Sequence, residues 1–331
     1  MPLDWSKVLV VGISSRALFD LTESNEVYDR DGLEAYTKHQ LDKEDEILKP
    51  GAGFPLVSAM LRLNGAAEAG GRRCEVVVMS RNNAAVSLRL WKSIQHHRLD
   101  ITRAAFVSGT PLSNYLEAFK VDLFLSMNES DVQAAVNAGF AGAILYPPPA
   151  DYTAPLDQIR IAFDADAVIF SDESERLYRE KGLEAFLQHE RENAQKPLKE
   201  GPFAKLLRAI AVLQSEVNPD IIRTAIVTAR NSPAHERVIR TLRVWGVRVD
   251  EAFFLGGIPK DKILRAFGAH IFFDDQHVHV EPASKVVPSG RVPYRAASPA
   301  TRSPREAEQP PNDEMQLTRS ALGEPERGPR S

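Results

Sequence analysis

The chain has 331 residues, of which 41 are basic and 45 acidic, for a formal net charge of −4. This length supports one large domain or two of ordinary size, and so balanced a charge excludes the global basic field that attracts nucleic acid or an anionic membrane. A single cysteine, Cys74, excludes an internal disulfide framework and a cysteine-ligated zinc site.

Taken in chain order, the opening MPLDWSKVLVVG has no long apolar region behind a basic start, and no later apolar run approaches membrane-spanning length. A cytoplasmic enzyme or binding protein is therefore expected. Apolar runs predict buried strands at residues 7–14, 75–80, 104–109, 122–127 and 142–146. Further strands are predicted at 159–164, 224–229, 252–257 and 270–275. The segments between them carry apolar residues at helical spacing. One example is Phe203, Leu206, Leu207, Ile210 and Leu213 behind the start signal Gly201-Pro202. Continuous apolar strands alternating with helices predict a doubly wound α/β fold, its parallel sheet covered on both faces. After Tyr294 aromatics cease and Pro, Ser, Glu and Arg dominate, so residues 295–331 are expected to form a disordered tail.

Sliding the chain against itself uncovers an internal repeat. At an offset of 148, Asn83 meets Asn231, Phe106 meets Phe254, Gly109 meets Gly257, Pro111 meets Pro259 and Phe124 meets Phe272. Upstream the offset becomes 150: the tetrapeptide GLEA at Gly32 meets GLEA at Gly182, His39 meets His189, and Gly51 meets Gly201. Two diverged copies of one α/β unit are expected, at residues 1–150 and 151–294.

In the second copy, chemistry-bearing residues fall at strand ends. Asp164 and Asp166 follow IRIAF, Thr228 ends TAIV, Lys260 follows FFLGGIP, and Asp274 with Asp275 ends HIFF. Parallel strands present their carboxyl ends at one edge, where ligands bind, so these groups are expected to converge. Their types suit phosphoryl transfer. One carboxylate attacks phosphorus, a second two residues on moves protons, a hydroxyl and an ammonium hold phosphate oxygens, and further carboxylates hold Mg²⁺. Lys262 competes with Lys260 for its role, but Lys260 directly follows the GGIP turn.

This ordered set resembles the haloacid dehalogenase superfamily, and the resemblance implies roles for each residue. Asp164 is then the nucleophile, Asp166 the general acid and base, Thr228 and Lys260 the phosphate holders, and Asp274 a metal ligand supported by Asp275. The implied metal set is Asp164, Asp166, Asp274 and Asp275. IAFDADAVIFSDESE, GLEAFLQHE, VTARN, TLRVWG, DEAFFLGGIPK and HIFFDDQ, with VGISSRALFD, FPLVSAM and VVVMSRNN, are similar to the cytosolic 5'-nucleotidase type I family. That resemblance implies Mg²⁺-dependent hydrolysis of nucleoside monophosphates such as AMP, and a helical cap at about residues 171–202.

Milder readings stand beside these. Arg230 either assists the phosphate or is an ordinary exposed arginine near a strand end. His277 and His279 alternate like strand residues, yet oxygen ligands already suffice for Mg²⁺. Tyr178, Phe186 and Trp245 read as core aromatics more readily than as a base-stacking set. A phosphatase for another small ester, or a nucleotide-binding protein without turnover, remains as an alternative function, and homo-oligomerisation is left open. The first copy has Ser14, Arg16, Leu112 and Ser126 where the second has Asp164, Asp166, Lys260 and Asp274. It is expected to have no chemistry of its own and to serve as a structural partner or a regulatory copy.

Overall fold

Among the described residues ten strands form one sheet, and nine of them are those expected from the apolar runs. They are β1 (Leu9–Ser14), β2 (Cys74–Ser80), β3 (Arg103–Phe106), β4 (Leu123–Ser126), β5 (Ala141–Leu145), β6 (Ile159–Phe163), β7 (Ile222–Thr228), β8 (Glu251–Phe254), β9 (Ile271–Asp274) and β10 (Ser289–Arg291). The structure is a computed structural model, and it describes residues 5–65, 71–217 and 220–295. The tail expected at 295–331 lies, apart from Arg295, outside the described residues.

Strands β3 and β8 end three residues earlier than their apolar runs suggest. Ser108 and Gly109 after β3, and Gly256 and Gly257 after β8, take positive φ, and left-handed backbone cannot continue a ladder. The tenth strand, β10, has no apolar signal in its sequence SGR. It runs parallel to β9 and antiparallel to β5, closing the gap between them.

The strand order is β3-β2-β1-β4-β5-β10-β9-β6-β7-β8. Every pairing is parallel except β10 with β5. The block β1 to β5 therefore runs opposite to the block β6 to β10, and the two blocks present their carboxyl ends at opposite edges of the sheet.

The helices are α1 (Ser15–Leu18), α2 (Thr22–Asp42), α3 (Phe54–Leu61), α4 (Leu88–His96), α5 (Glu129–Asn137), α6 (Glu173–Glu192), α7 (Ala204–Glu216), α8 (His235–Val244), α9 (Asp261–Phe267) and α10 (His277–Ser284). The GLEA segments do not lie in unbroken helices. Gly32 in α2 and Gly182 in α6 take φ of 82° and 80° with extended ψ, a conformation reserved for glycine, and each breaks its helix there. Apolar residues of both blocks share one buried layer, with Val11, Ile13 and Leu56 in contact with the cluster that holds Phe163, Phe203 and Phe273. No helix among the described residues is long and apolar enough to cross a membrane.

Candidate functional site

Strand β6 lies between β7 and β9, and all three are parallel. The residues at their carboxyl ends thus meet at one edge: Asp164 directly after β6, Thr228 closing β7 and Asp274 closing β9. A backbone bond ties two of these ends together, with the Asp164 N–H donating to the Phe273 carbonyl at 2.7 Å. Lys260 enters from the turn before α9. Its Nζ donates to Asp164 Oδ1 at 2.7 Å and to Asp274 Oδ2 at 2.6 Å. Lys262, the rival by sequence, is exposed.

Asp164, Asp274 and Asp275 bring carboxylate oxygens within 4.8 Å of one another. These three and Lys260 are each at most 6% exposed. With all of them ionised, three carboxylates and one ammonium leave two buried negative charges, an arrangement that water no longer relieves. Burial pushes the Asp164 carboxyl up to about 7, with Lys260 opposing the rise and Asp274 adding to it. Burial, then the charges of Asp164 and Asp274, push Asp275 up to about 8. Burial acts on Asp274 in the same sense, but Lys260 and His279 outweigh it and hold that carboxyl below the usual range. Lys260 is raised because its two carboxylates outweigh the burial that would lower it.

Asp275 Oδ1 is buried and has no hydrogen-bond partner among the described residues. Three buried carboxyls that are costly to ionise together without a cation, one with an unpartnered oxygen, fit a hard divalent cation such as Mg²⁺.

Asp166 is not part of this cluster. Its carboxylate is forked by Arg230, Nε to Oδ2 at 2.7 Å and Nη2 to Oδ1 at 2.6 Å. Arg230 also donates through Nη1 to Glu190 Oε2 at 2.6 Å, and Arg237 Nη1 donates to Glu190 Oε1 at 2.9 Å. Two carboxylates and two guanidiniums balance in this second cluster. Arg230 is only 5% exposed, which removes the reading of it as an ordinary exposed arginine. Its backbone N–H donates to Thr228 Oγ1 at 3.2 Å, joining the two groups of residues.

Sequence reasoning did not find Glu190, Arg237 or the fork on Asp166. The repeat held a signal for them: at the same offsets Glu190 meets Gln40, Arg237 meets Arg89 and Arg230 meets Asn82. The acidic charge is confined to the second block, whereas the contact survives in the first, where Arg89 Nη1 lies 3.5 Å from Gln40 Oε1. His277 and His279 lie on α10 and not on a strand as their alternation suggested. His277 is exposed, while His279 Nδ1 lies 3.3 Å from Asp274 Oδ2. Phe186 packs under Arg230, Tyr178 meets Phe186 edge-on at the surface, and Trp245 packs on Phe170.

A cleft of about 410 Å³ is lined by Ala167, Ser171, Gly201, Lys205 and Tyr294, and by none of Asp164, Lys260, Asp274 and Asp275. Tyr294 contacts the cluster itself, its hydroxyl approaching Asp275 Oδ2 and lying 2.9 Å from Glu175 Oε2.

Fold and site together define an α/β protein with a buried carboxylate and lysine cluster at the carboxyl edge of parallel strands. A family model described as 5'-nucleotidase matches residues 1–299. Cytosolic 5'-nucleotidase 1B of Homo sapiens is 37% identical over 289 residues, covering 84% of this chain and 47% of that protein. The chain belongs to the 5'-nucleotidase family. It spans about half the length of the curated relative it matches.

Proposed function

We propose that this chain is a Mg²⁺-dependent 5'-nucleotidase that hydrolyses nucleoside 5'-monophosphates, AMP among them, to nucleoside and phosphate. The observation that carries the reading is the cluster of Asp164, Asp274, Asp275 and Lys260 at one strand edge, with Thr228 ending the neighbouring strand. Family membership and the name of the human relative support the substrate class. That relative's name also supports a cytoplasmic location for this chain.

In this mechanism a carboxylate oxygen of Asp164 attacks phosphorus, forming an aspartyl phosphate as the bond from phosphorus to the ribose oxygen breaks. Asp166, once released from Arg230 and protonated from solvent, gives that proton to the departing alkoxide. It then takes a proton from the water that attacks the aspartyl phosphate, and the bond from phosphorus to Asp164 breaks to release phosphate. Thr228 and Lys260 hold the phosphate oxygens. Mg²⁺ held by Asp164, Asp274 and Asp275 would offset the crowded negative charge and polarise the phosphoryl group. The side chain of Asp166, which the family resemblance also assigns to the metal, is committed to Arg230, so we assign it proton transfer alone. To act, it must exchange the Arg230 fork for the substrate.

The same reading treats residues 1–150 and 151–294 as diverged haloacid-dehalogenase-like copies, the second catalytic and carrying a helical cap at about 171–202. Three observations support it. Each block repeats the order 3-2-1-4-5 from its outer edge. Gly32 and Gly182 break α2 and α6 in the same way. The bridges Phe19 with Pro50 and Phe170 with Glu200 recur before Gly51 and Gly201.

Phosphate release from AMP, with Mg²⁺ and with chelator, tests the activity. The Asp164→Asn variant is expected to lose at least about 10³-fold in turnover, as removal of a nucleophile does, while keeping its circular dichroism. Turnover within a few-fold of wild type would sink the covalent mechanism. Release from sugar phosphates but not from nucleotides would favour the broader phosphatase.

A further inference from the structure

Beyond β10 the chain returns to the acidic cluster from the side. The Tyr294 hydroxyl touches Asp275 Oδ2 and lies 2.9 Å from Glu175 Oε2. Glu175, in the first turns of α6, also accepts from Gln276 Nε2 at 3.0 Å and pairs with Arg179. The backbone of the segment after β10 is held by the other block. Gln133 Nε2 on α5 donates to the Tyr294 carbonyl at 2.9 Å, and Arg291 pairs with Glu129 at the start of the same helix. A continuous set of contacts thus runs from α5, which carries no chemistry, to a carboxylate of the acidic cluster.

We infer that Tyr294 is a positioning residue for Asp275, and that α5 of the first block holds it in place. This inference rests on the reading of Asp164, Asp274 and Asp275 as the Mg²⁺ site. The phenol occupies Oδ2 and leaves Oδ1 buried without a partner. Hydrogen bonds from outer residues orient a ligating carboxylate before the cation arrives, which raises affinity. A phenol does so without cancelling the charge. An arginine or lysine in its place would neutralise Asp275 and weaken the cluster's demand for a cation. The first block, which has serines where the second has Asp164 and Asp274, acquires through this contact a part in the chemistry on the opposite block.

The test uses the full chain and follows thermal unfolding during Mg²⁺ titration, beside phosphate release from AMP. Tyr294→Phe keeps the ring and removes only the hydroxyl. It is expected to raise the Mg²⁺ concentration for half-maximal stabilisation by about 10-fold or more, the range for residues that orient metal ligands. Its melting temperature without Mg²⁺ should stay nearly that of wild type. Gln133→Ala, which touches no group of the site, should shift the Mg²⁺ midpoint in the same direction by a smaller factor. A lower melting temperature with an unmoved Mg²⁺ midpoint would mean a structural contact only and overturns the inference. An unmoved midpoint in Gln133→Ala alone refutes the anchoring by α5. Wild-type protein that neither binds Mg²⁺ nor releases phosphate removes the functional reading, and this inference with it. Wild-type protein that does both, beside an unaltered Tyr294→Phe, removes the inference alone.

Discussion

Glu190 holds two guanidiniums at once while itself 1% exposed. Burial alone would raise its carboxyl, yet Arg230 and then Arg237 outweigh that and hold it below the usual carboxylate range. Glu190→Gln leaves Arg230 with Asp166 alone and takes from Arg237 its carboxylate partner, and a buried ion pair broken on one side costs about 3–5 kcal/mol. Urea denaturation of wild type and variant at pH 7.5 measures the difference, and a loss below 1 kcal/mol would contradict the assignment. His270 gives a pH test away from the acidic cluster. It is fully buried, its Nδ1 accepts from the Arg160 N–H at 3.1 Å, and Nε2 lies 3.1 Å from the Pro155 carbonyl. Those two partners require the neutral ring. Burial, then the charge of Arg62, pull its pKa down to about 4. The unfolded imidazole titrates near 6.5, so on acidification the unfolded chain takes the proton first. Stability from this group is complete above about 6.5 and falls as the pH drops toward 4, by about 2 kcal/mol between 6.5 and 5. His270→Gln should lower stability at neutral pH yet lose less than wild type over that interval. Equal slopes would refute the account.

At the scale of elements, the repeated glycines explain why two turns close as they do. A Cβ on Gly201 would lie 2.2 Å from the Phe170 carbonyl oxygen, and one on Gly51 2.8 Å from the Ala17 carbonyl oxygen. Both obstacles are backbone, which cannot rotate away as a side chain can. Gly201→Ala must therefore push apart the Phe170 to Glu200 bridge, and with it the link between α6 and α7. Overpacking of this kind costs about 1–3 kcal/mol. A fall in melting temperature for Gly201→Ala that exceeds the fall for Gly51→Ala is the expected result. The reverse order would count against the close approach as the cause. The paired conformations of Gly32 and Gly182 are legible as a repeated GLEA, but their meaning as helix breaks is not. A tetrapeptide with good helix formers on both sides of its glycine gives no sign of which φ that glycine takes.

For the whole molecule, the joined sheet makes the two blocks one cooperative body. Residues of β1 and α3 share a buried layer with those of β6, β9 and the segment before α7. Residues 151–295 expressed alone would expose that layer and the edge of β10 that pairs with β5. Such a fragment is expected to be insoluble or inactive in phosphate release. The hydroxyls of the first block lie at the opposite sheet edge, so Ser14→Ala and Ser126→Ala in the full chain should keep turnover within a few-fold of wild type. A soluble, fully active fragment would overturn the view of the first block as a structural partner.

Nine of the strands, and the meeting of Asp164, Lys260, Asp274 and Asp275, were legible in the sequence. Apolar runs report burial directly, and parallel strands deliver their carboxyl ends to one edge whatever the details of packing. The order of those residue types also carried the family resemblance. Other features were decided only in three dimensions. Strand β10 forms because β5 and β9 each have an open edge, not because SGR favours a strand, and its antiparallel bond to β5 turns the blocks' carboxyl ends to opposite sides. The fork of Arg230 on Asp166 spans 64 residues and the anchor of Gln133 on Tyr294 spans 161. Periodicity records which face of an element is buried. It does not record which charged group from a distant element will be buried against it, and that choice is what holds Asp166 and Asp275 where they are.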